Sequence, residues 1–138
     1  MTIAVFLDRD GVINRYPGDG KYVTNLKEFR FLHNVKKAIA LLTANKYSIF
    51  IISNQAGVGK GLYTQEALDR ITEYMLKALT RHKAKVRAVY YCVHRNEDNC
   101  PCRKPKAGLI KAALKNFNLS FPRKRESRKE VDISNSFF

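Results

Sequence analysis

The chain has 138 residues, with 26 Lys and Arg against 12 Asp and Glu, a formal net charge of +14, and 45% hydrophobic residues. That length and apolar content fit one folded domain and exclude a chain disordered throughout. The longest unbroken apolar run, Ala88–Val93, falls far short of the ~20 residues of a membrane-spanning helix. Asp8, Arg9 and Asp10 interrupt Ile3–Leu7 too early for a secretory signal, so a cytoplasmic location is expected.

Ile3–Leu7 is the first apolar run, and it ends in carboxylates. Val35, Ala38, Ile39 and Leu42 then follow helical spacing, with Asn34 placed to cap the start. Ser48–Ser53 is a second apolar run. Leu68, Ile71, Met75 and Leu79 form a second helical stripe, opened by Thr64 as N-cap with Glu66 in its first turn. Val86–Cys92 is a third run, and Leu109, Ile110, Ala113, Leu114 and Phe117 form a third stripe. Short runs of this kind predict buried strands. Their alternation with helices predicts an α/β domain, with right-handed crossovers joining a parallel sheet covered by helices on its faces. The predicted core is 1–120. The segment 121–138, rich in Arg, Lys, Ser and Asn, is predicted to be a loose basic tail with one candidate strand at Val131–Ile133. The basic excess runs along the whole body. It would attract any polyanion, small phosphate esters included, and charge alone does not make nucleic acid the expected partner.

Three constellations carry chemistry. In a parallel α/β sheet, ligands gather beyond the carboxyl ends of the strands, which is where Phe6-Leu7-Asp8-Arg9-Asp10-Gly11-Val12-Ile13-Asn14 places Asp8 and Asp10. Two carboxylates this close repel unless a cation or proton is shared, and Mg²⁺ would relieve that. One could attack phosphorus while the other moves a proton. A bare Asp-x-Asp also fits a solvated strand end. Gly11 allows a tight turn that brings backbone N–H groups near an anion. After the second run, Ser53-Asn54-Gln55-Ala56-Gly57-Val58-Gly59-Lys60-Gly61 offers a hydroxyl, two amides, a cation and a glycine-rich loop, which is read as mobile with exposed N–H groups. It is not a phosphate-binding P-loop, because Asn54 and Gly61 stand where that pattern needs Gly and Ser or Thr. Third, Cys92-x-His94 and Cys100-x-Cys102 supply four ligands suited to a closed tetrahedral Zn²⁺ site of structural type. Three reduced thiols beside an unrelated His is the competing reading. Arg103 and Lys104 follow directly. Arg103 could fork onto a substrate phosphate, and Lys104 could neutralise charge as phosphoryl transfers.

The first of these stretches strongly resembles the opening motif of the HAD (haloacid dehalogenase) superfamily phosphatases, in the branch of heptose bisphosphate and histidinol-phosphate phosphatases. Ser53-Asn54-Gln55-Ala56-Gly57 resembles their second motif, Arg103-Lys104 their third, and the Cys and His spacing their zinc loop. The resemblance implies a Rossmann-like three-layer sandwich. It implies Asp8 as phosphoryl-accepting nucleophile and Asp10 as general acid/base, both with Mg²⁺. Ser53 and Lys104 would hold the phosphoryl group, and Arg103 would recognise substrate. Gly11, Tyr22, Asn54, Gln55 and Ala56 would line the substrate site, with Lys60 reaching a distal phosphate. It also implies structural Zn²⁺ on Cys92, His94, Cys100 and Cys102, and a small phosphorylated sugar as substrate.

The likeness runs from Ile3 to Leu119. The family's fourth strand and its Gly-Asp-x-x-x-Asp motif find no match, since Asp132 is the one Asp after Asp98 and no Gly follows Gly108. The C-terminal strands are therefore expected to be missing or replaced, with a weaker Mg²⁺ site and impaired turnover. An exposed edge on the first strand would invite self-association of an otherwise monomeric protein. The alternatives are a histidinol-phosphate phosphatase and an inactive zinc-containing module that binds phosphates or polyanions.

Overall fold

The computed structural model describes residues 2–119. The tail and its candidate strand at Val131–Ile133 lie outside the described residues. Among the described residues, three strands form one parallel sheet in the order β1-β2-β3: β1 (Ala4–Leu7), β2 (Ser48–Asn54) and β3 (Val86–Cys92). The helices are α1 (Val35–Ala44), α2 (Ala56–Gly59), α3 (Gln65–Arg81) and α4 (Gly108–Asn116), with 3₁₀ turns at Leu26–Glu28 and Asn96–Asp98.

Strand β2 is buried along nearly its whole length because it is the central strand, and the alternation of side chains sends its residues to opposite faces. Ile49 and Ile51 pack with Val35 and Ile39 of α1 and Ile71, Met75 and Leu79 of α3. Ile52 meets Leu109 of α4 on the other face, where the Phe50 ring lies 5.1 Å from Phe117 and 5.2 Å from Phe6. This is the three-layer α/β arrangement that the sequence predicts. The uniform burial expected of all three strands holds for β2. Strands β1 and β3 are mostly half-buried, since among the described residues each pairs on one side.

Helix α3 begins as its sequence dictates. Thr64 is extended, and its hydroxyl accepts from the Ala67 N–H. Leu68, Ile71, Met75 and Leu79 are all fully buried. Helix α1 begins differently. Asn34 sits in the left-handed region at φ 63° and makes no side-chain cap. The first turn is instead closed by the backbone, with Val35 N–H donating to Leu32 O and Ala38 N–H to Asn34 O.

Candidate active site

The three parallel strands end at the same pole, and there six of the candidate residues, Asp8, Asp10, Tyr22, Ser53, Asn54 and Lys104, meet around a cavity of about 340 Å³. Its walls are Asp8, Asp10, Ser53, Asn54 and Lys104, together with residues of the segment from Tyr16 to Tyr22. Asp8 and Asp10 come from the end of β1, Ser53 and Asn54 from the end of β2, and Lys104 from the segment between β3 and α4.

Asp8 pairs with Lys104, Oδ2 to Nζ 2.9 Å, and its Oδ1 accepts from the Arg9 N–H at 2.7 Å. Its side chain keeps 42% exposure, so it faces the cavity with room for an incoming group. Lys104 is steered by its surroundings. Its Nζ donates to Ile52 O at 3.3 Å, its N–H donates to Asn54 Oδ1 at 2.9 Å, and Asn54 Nδ2 donates to the Lys104 carbonyl at 3.3 Å. Asn54 therefore borders the cavity while its amide clamps the Lys104 backbone.

Asp10 is held more tightly. Its Oδ1 accepts from Arg9 Nε (3.1 Å), Arg9 Nη2 (2.9 Å) and Asn14 Nδ2 (3.0 Å), and its Oδ2 accepts from Gln55 Nε2 (2.9 Å). Arg9 is fully buried, with its guanidinium carbon 5.6 Å from the centre of the Tyr91 ring. Burial acts to lower its pKa, but Tyr91 and the Asp10 carboxylate outweigh burial and raise it. Burial likewise pushes the Tyr63 phenol up.

Several sequence expectations need correction. The repulsion between Asp8 and Asp10, which the sequence leads one to expect a shared cation or proton to relieve, is offset in part by a protein cation on each carboxylate, Lys104 for Asp8 and Arg9 for Asp10. Asp8 fits a metal ligand because part of its carboxylate is open. The Asp10 carboxylate is engaged by four donor contacts and fits that role poorly. Gly11 has the positive φ (84°) its turn requires, but its N–H donates to Asn14 O, and the N–H groups of Val12, Ile13 and Asn14 converge on Arg9 O. These donors are not offered to an anion. The glycine-rich segment is helix α2, not an open loop. Gly57 is buried, and a Cβ there would fall 2.2 Å from the Tyr63 ring. The N–H groups of Val58 to Leu62 are all bonded within the backbone. Gln55 (0% exposed) and Ala56 (2%) are buried and are not part of the cavity wall. Lys60 and Arg103 are also outside the wall. Lys60 Nζ donates to Tyr22 Oη at 3.2 Å, and Arg103 Nη1 is buried with no partner among the described residues.

Arg9, Asn14 and Tyr63 were missed by the sequence reading. A signal existed for Arg9. If Asp8 and Asp10 share one side of a strand end, the residue between them points the other way, into the protein.

At the end of β3, donor atoms of Cys92, His94, Cys100 and Cys102 all lie within 4.8 Å of one another. Cys92 and Cys100 Sγ are 3.3 Å apart, Cys92 and Cys102 Sγ 2.7 Å, and His94 Nδ1 lies 3.2 Å from Cys102 Sγ and 3.6 Å from Cys92 Sγ. The cysteines are unbridged. Burial raises the Cys102 thiol, and its neighbouring sulfurs raise it further; Cys100 is also penalised by burial, but its hydrogen bonds outweigh that and lower it. Three sulfurs this close cannot all be anionic without a central cation. The donor set fits Zn²⁺, which binds sulfur at about 2.3 Å and imidazole nitrogen at about 2.0–2.1 Å. The loop is packed against α4, where a Cβ on Gly108 would meet Pro101 O at 2.3 Å.

The model of the polynucleotide kinase 3 phosphatase family matches residues 2–138. Among curated proteins, the D-glycero-alpha-D-manno-heptose-1,7-bisphosphate 7-phosphatase of Campylobacter jejuni is 38% identical over 118 residues, covering 86% of this chain and 66% of its own length. The D-glycero-beta-D-manno-heptose-1,7-bisphosphate 7-phosphatase of Helicobacter pylori J99 is 35% identical over 121 residues, covering 87% of this chain and 68% of its own. The D,D-heptose 1,7-bisphosphate phosphatase of B. bronchiseptica, solved with magnesium and phosphate, has a TM-score of 0.80 at 31% identity, covering 86% of this chain and 65% of that one. A Mesorhizobium loti protein described as a HAD-like phosphatase has a TM-score of 0.76 at 27% identity, covering 86% of this chain and 58% of that one. The chain thus spans about two-thirds of the length of the curated relatives it matches. It belongs to the polynucleotide kinase 3 phosphatase family, among the HAD-like phosphatases.

Proposed function

We propose that the chain is a Mg²⁺-dependent phosphatase of a small phosphorylated sugar, of the heptose 1,7-bisphosphate type, acting through a phosphoaspartyl intermediate on Asp8. The observation that carries the reading is the Asp8–Lys104 pair at 2.9 Å on the wall of a cavity that also contains Asp10 and Ser53. The named activities of the relatives supply the substrate class.

An Asp8 oxygen attacks phosphorus, and the bond from phosphorus to the sugar oxygen breaks. Asp10 gives its proton to the leaving oxygen, then takes one from the water that attacks the phosphoaspartyl group. Release of phosphate restores Asp8. Lys104 offsets negative charge as it builds on the transferring oxygens, and the Ser53 hydroxyl is a further donor to them. Mg²⁺, present with phosphate in the B. bronchiseptica structure, would be held here by Asp8 and would neutralise phosphoryl charge. Asp8 would suit that role because its side chain is 42% exposed on the cavity wall, and substrate phosphate oxygens would complete the coordination. Zn²⁺ on Cys92, His94, Cys100 and Cys102 would serve structure, since four protein ligands leave no open position.

The test is Mg²⁺-dependent phosphate release from heptose 1,7-bisphosphate and from histidinol phosphate, with Asp8→Asn as the blank. Release that favours the heptose ester and vanishes in Asp8→Asn is expected. Equal release by Asp8→Asn contradicts the mechanism, and preference for histidinol phosphate contradicts the substrate class.

A further inference from the structure

Asp10 has to carry a proton at one moment and lose it at the next, yet hydrogen bonds occupy both of its oxygens. On Oδ1 three contacts converge, two from Arg9 and one from Asn14. Arg9 has no acceptor atom and holds its protons, so this side of the carboxylate has no place for another. On Oδ2 there is one donor, Gln55 Nε2 at 2.9 Å.

The orientation of the Gln55 amide is set by its other contacts. Arg9 Nη2 donates to its Oε1 at 3.2 Å, and the Tyr63 hydroxyl donates to the same atom at 2.5 Å. Arg9 can only donate, so the carbonyl must face it. The NH₂ end then faces Asp10 Oδ2 and Ser53 Oγ, 3.0 Å away. Gln55 is fully buried, which prevents water from replacing any of these bonds.

We propose that Arg9, Gln55 and Tyr63 form a buried brace that turns Asp10, a residue of the cavity wall, so that Oδ2, which accepts one bond where Oδ1 accepts three, is the oxygen that gives and takes the transferable proton. The role rests on the phosphatase reading above, while the geometry of the brace stands without it. The same oxygen that protonates the leaving group then accepts the proton of the attacking water, so the carboxylate need not rotate between steps. Arg9, Gln55 and Tyr63 are positioning residues, acting through Asp10.

A brace on the proton donor has a signature that general loosening lacks. An ester whose leaving group departs unprotonated, p-nitrophenyl phosphate, depends little on a proton donor, whereas a sugar phosphate depends on it fully. The experiment compares kcat/KM for the two esters, which reports the steps up to cleavage of the ester, in the full chain and in Gln55→Leu and Tyr63→Phe. It also determines the crystal structure of Gln55→Leu. In Gln55→Leu the sugar ester is expected to lose about 100-fold. p-Nitrophenyl phosphate should lose far less, and Tyr63→Phe should show a smaller bias of the same sign. In the crystal Asp10 should be turned while the Asp8–Lys104 pair stays intact. Equal losses on both esters, or an Asp10 that keeps its place in Gln55→Leu, overturn the brace. If the wild-type chain hydrolyses neither ester, the phosphatase reading fails by itself, and the position of Asp10 in the crystal still decides for or against the brace.

Discussion

Lys104 is held at both ends of its backbone by one side chain, and this arrangement makes distinct substitutions separable. Lys104→Met removes the cation beside Asp8 and is expected to lower kcat by about 10²- to 10³-fold, as loss of a charge-stabilising donor does. Asn54→Leu leaves the cation present but frees its backbone. A loss of about 10- to 100-fold is expected from misplacement alone, with about 1–3 kcal/mol of stability for the unpaired Lys104 N–H and C=O. Steady-state kinetics together with urea denaturation check both. The meeting of Asp8, Ser53 and Lys104 around one cavity was legible in the sequence because each sits at a strand end or in a basic pair next to the Cys and His cluster. The role of Asn54 as a clamp was not legible, because its partner is a backbone fifty positions away and has no side-chain signature. Gln55 was hidden for a related reason. A glutamine at a strand end suggests solvent and substrate, and only the buried Arg9 and Tyr63 behind it turn it inward.

The elements differ in how much local sequence decides them. Helix α3 has a side-chain cap and a buried stripe, and the sequence specifies both. Thr64→Ala is expected to cost about 1 kcal/mol and Met75→Ala about 2–5 kcal/mol, read from chemical denaturation midpoints. Helix α2 is decided from outside. Gly57 and Gly59 look like loop residues, yet they permit close approach: a Cβ on Gly57 would collide with the Tyr63 and Tyr22 rings, and one on Gly59 with Val93 O at 2.5 Å. The glycine pattern reflects a packing need, although from sequence alone it suggests mobility. Gly108 has the same kind of role beside the Cys and His cluster. Gly108→Ala is expected to push Pro101 and Cys102 apart from α4 and to lower the metal content of the purified protein, measured by elemental analysis.

At the scale of the molecule, a parallel sheet collects the ends of β1, β2 and β3 at one pole, so residues far apart in sequence meet in one cavity without any local signal beyond strand order. The alternation of strands and helices along the chain was readable from three apolar runs and the helical stripes between them. The half-burial of β1 and β3 was not, because apolar content does not say which strand is central. The Cys and His cluster joins β3 to the segment that leads to Lys104, so metal removal should reach the whole fold. The protein is expected to purify with one zinc per chain, and chelation is expected to lower its unfolding temperature by several degrees, as loss of a bound native-state ligand does. A zinc-free chain of unchanged stability would contradict the site.

The most direct test of the account is chemical capture of the phosphorylated protein. The chain is mixed with substrate and Mg²⁺, quenched in acid within the first turnover, and digested for mass spectrometry. The account requires a phosphate adduct on the peptide containing Asp8 that is absent in Asp8→Asn. Rapid phosphate release with no adduct on that peptide, or an adduct on another residue, would contradict it.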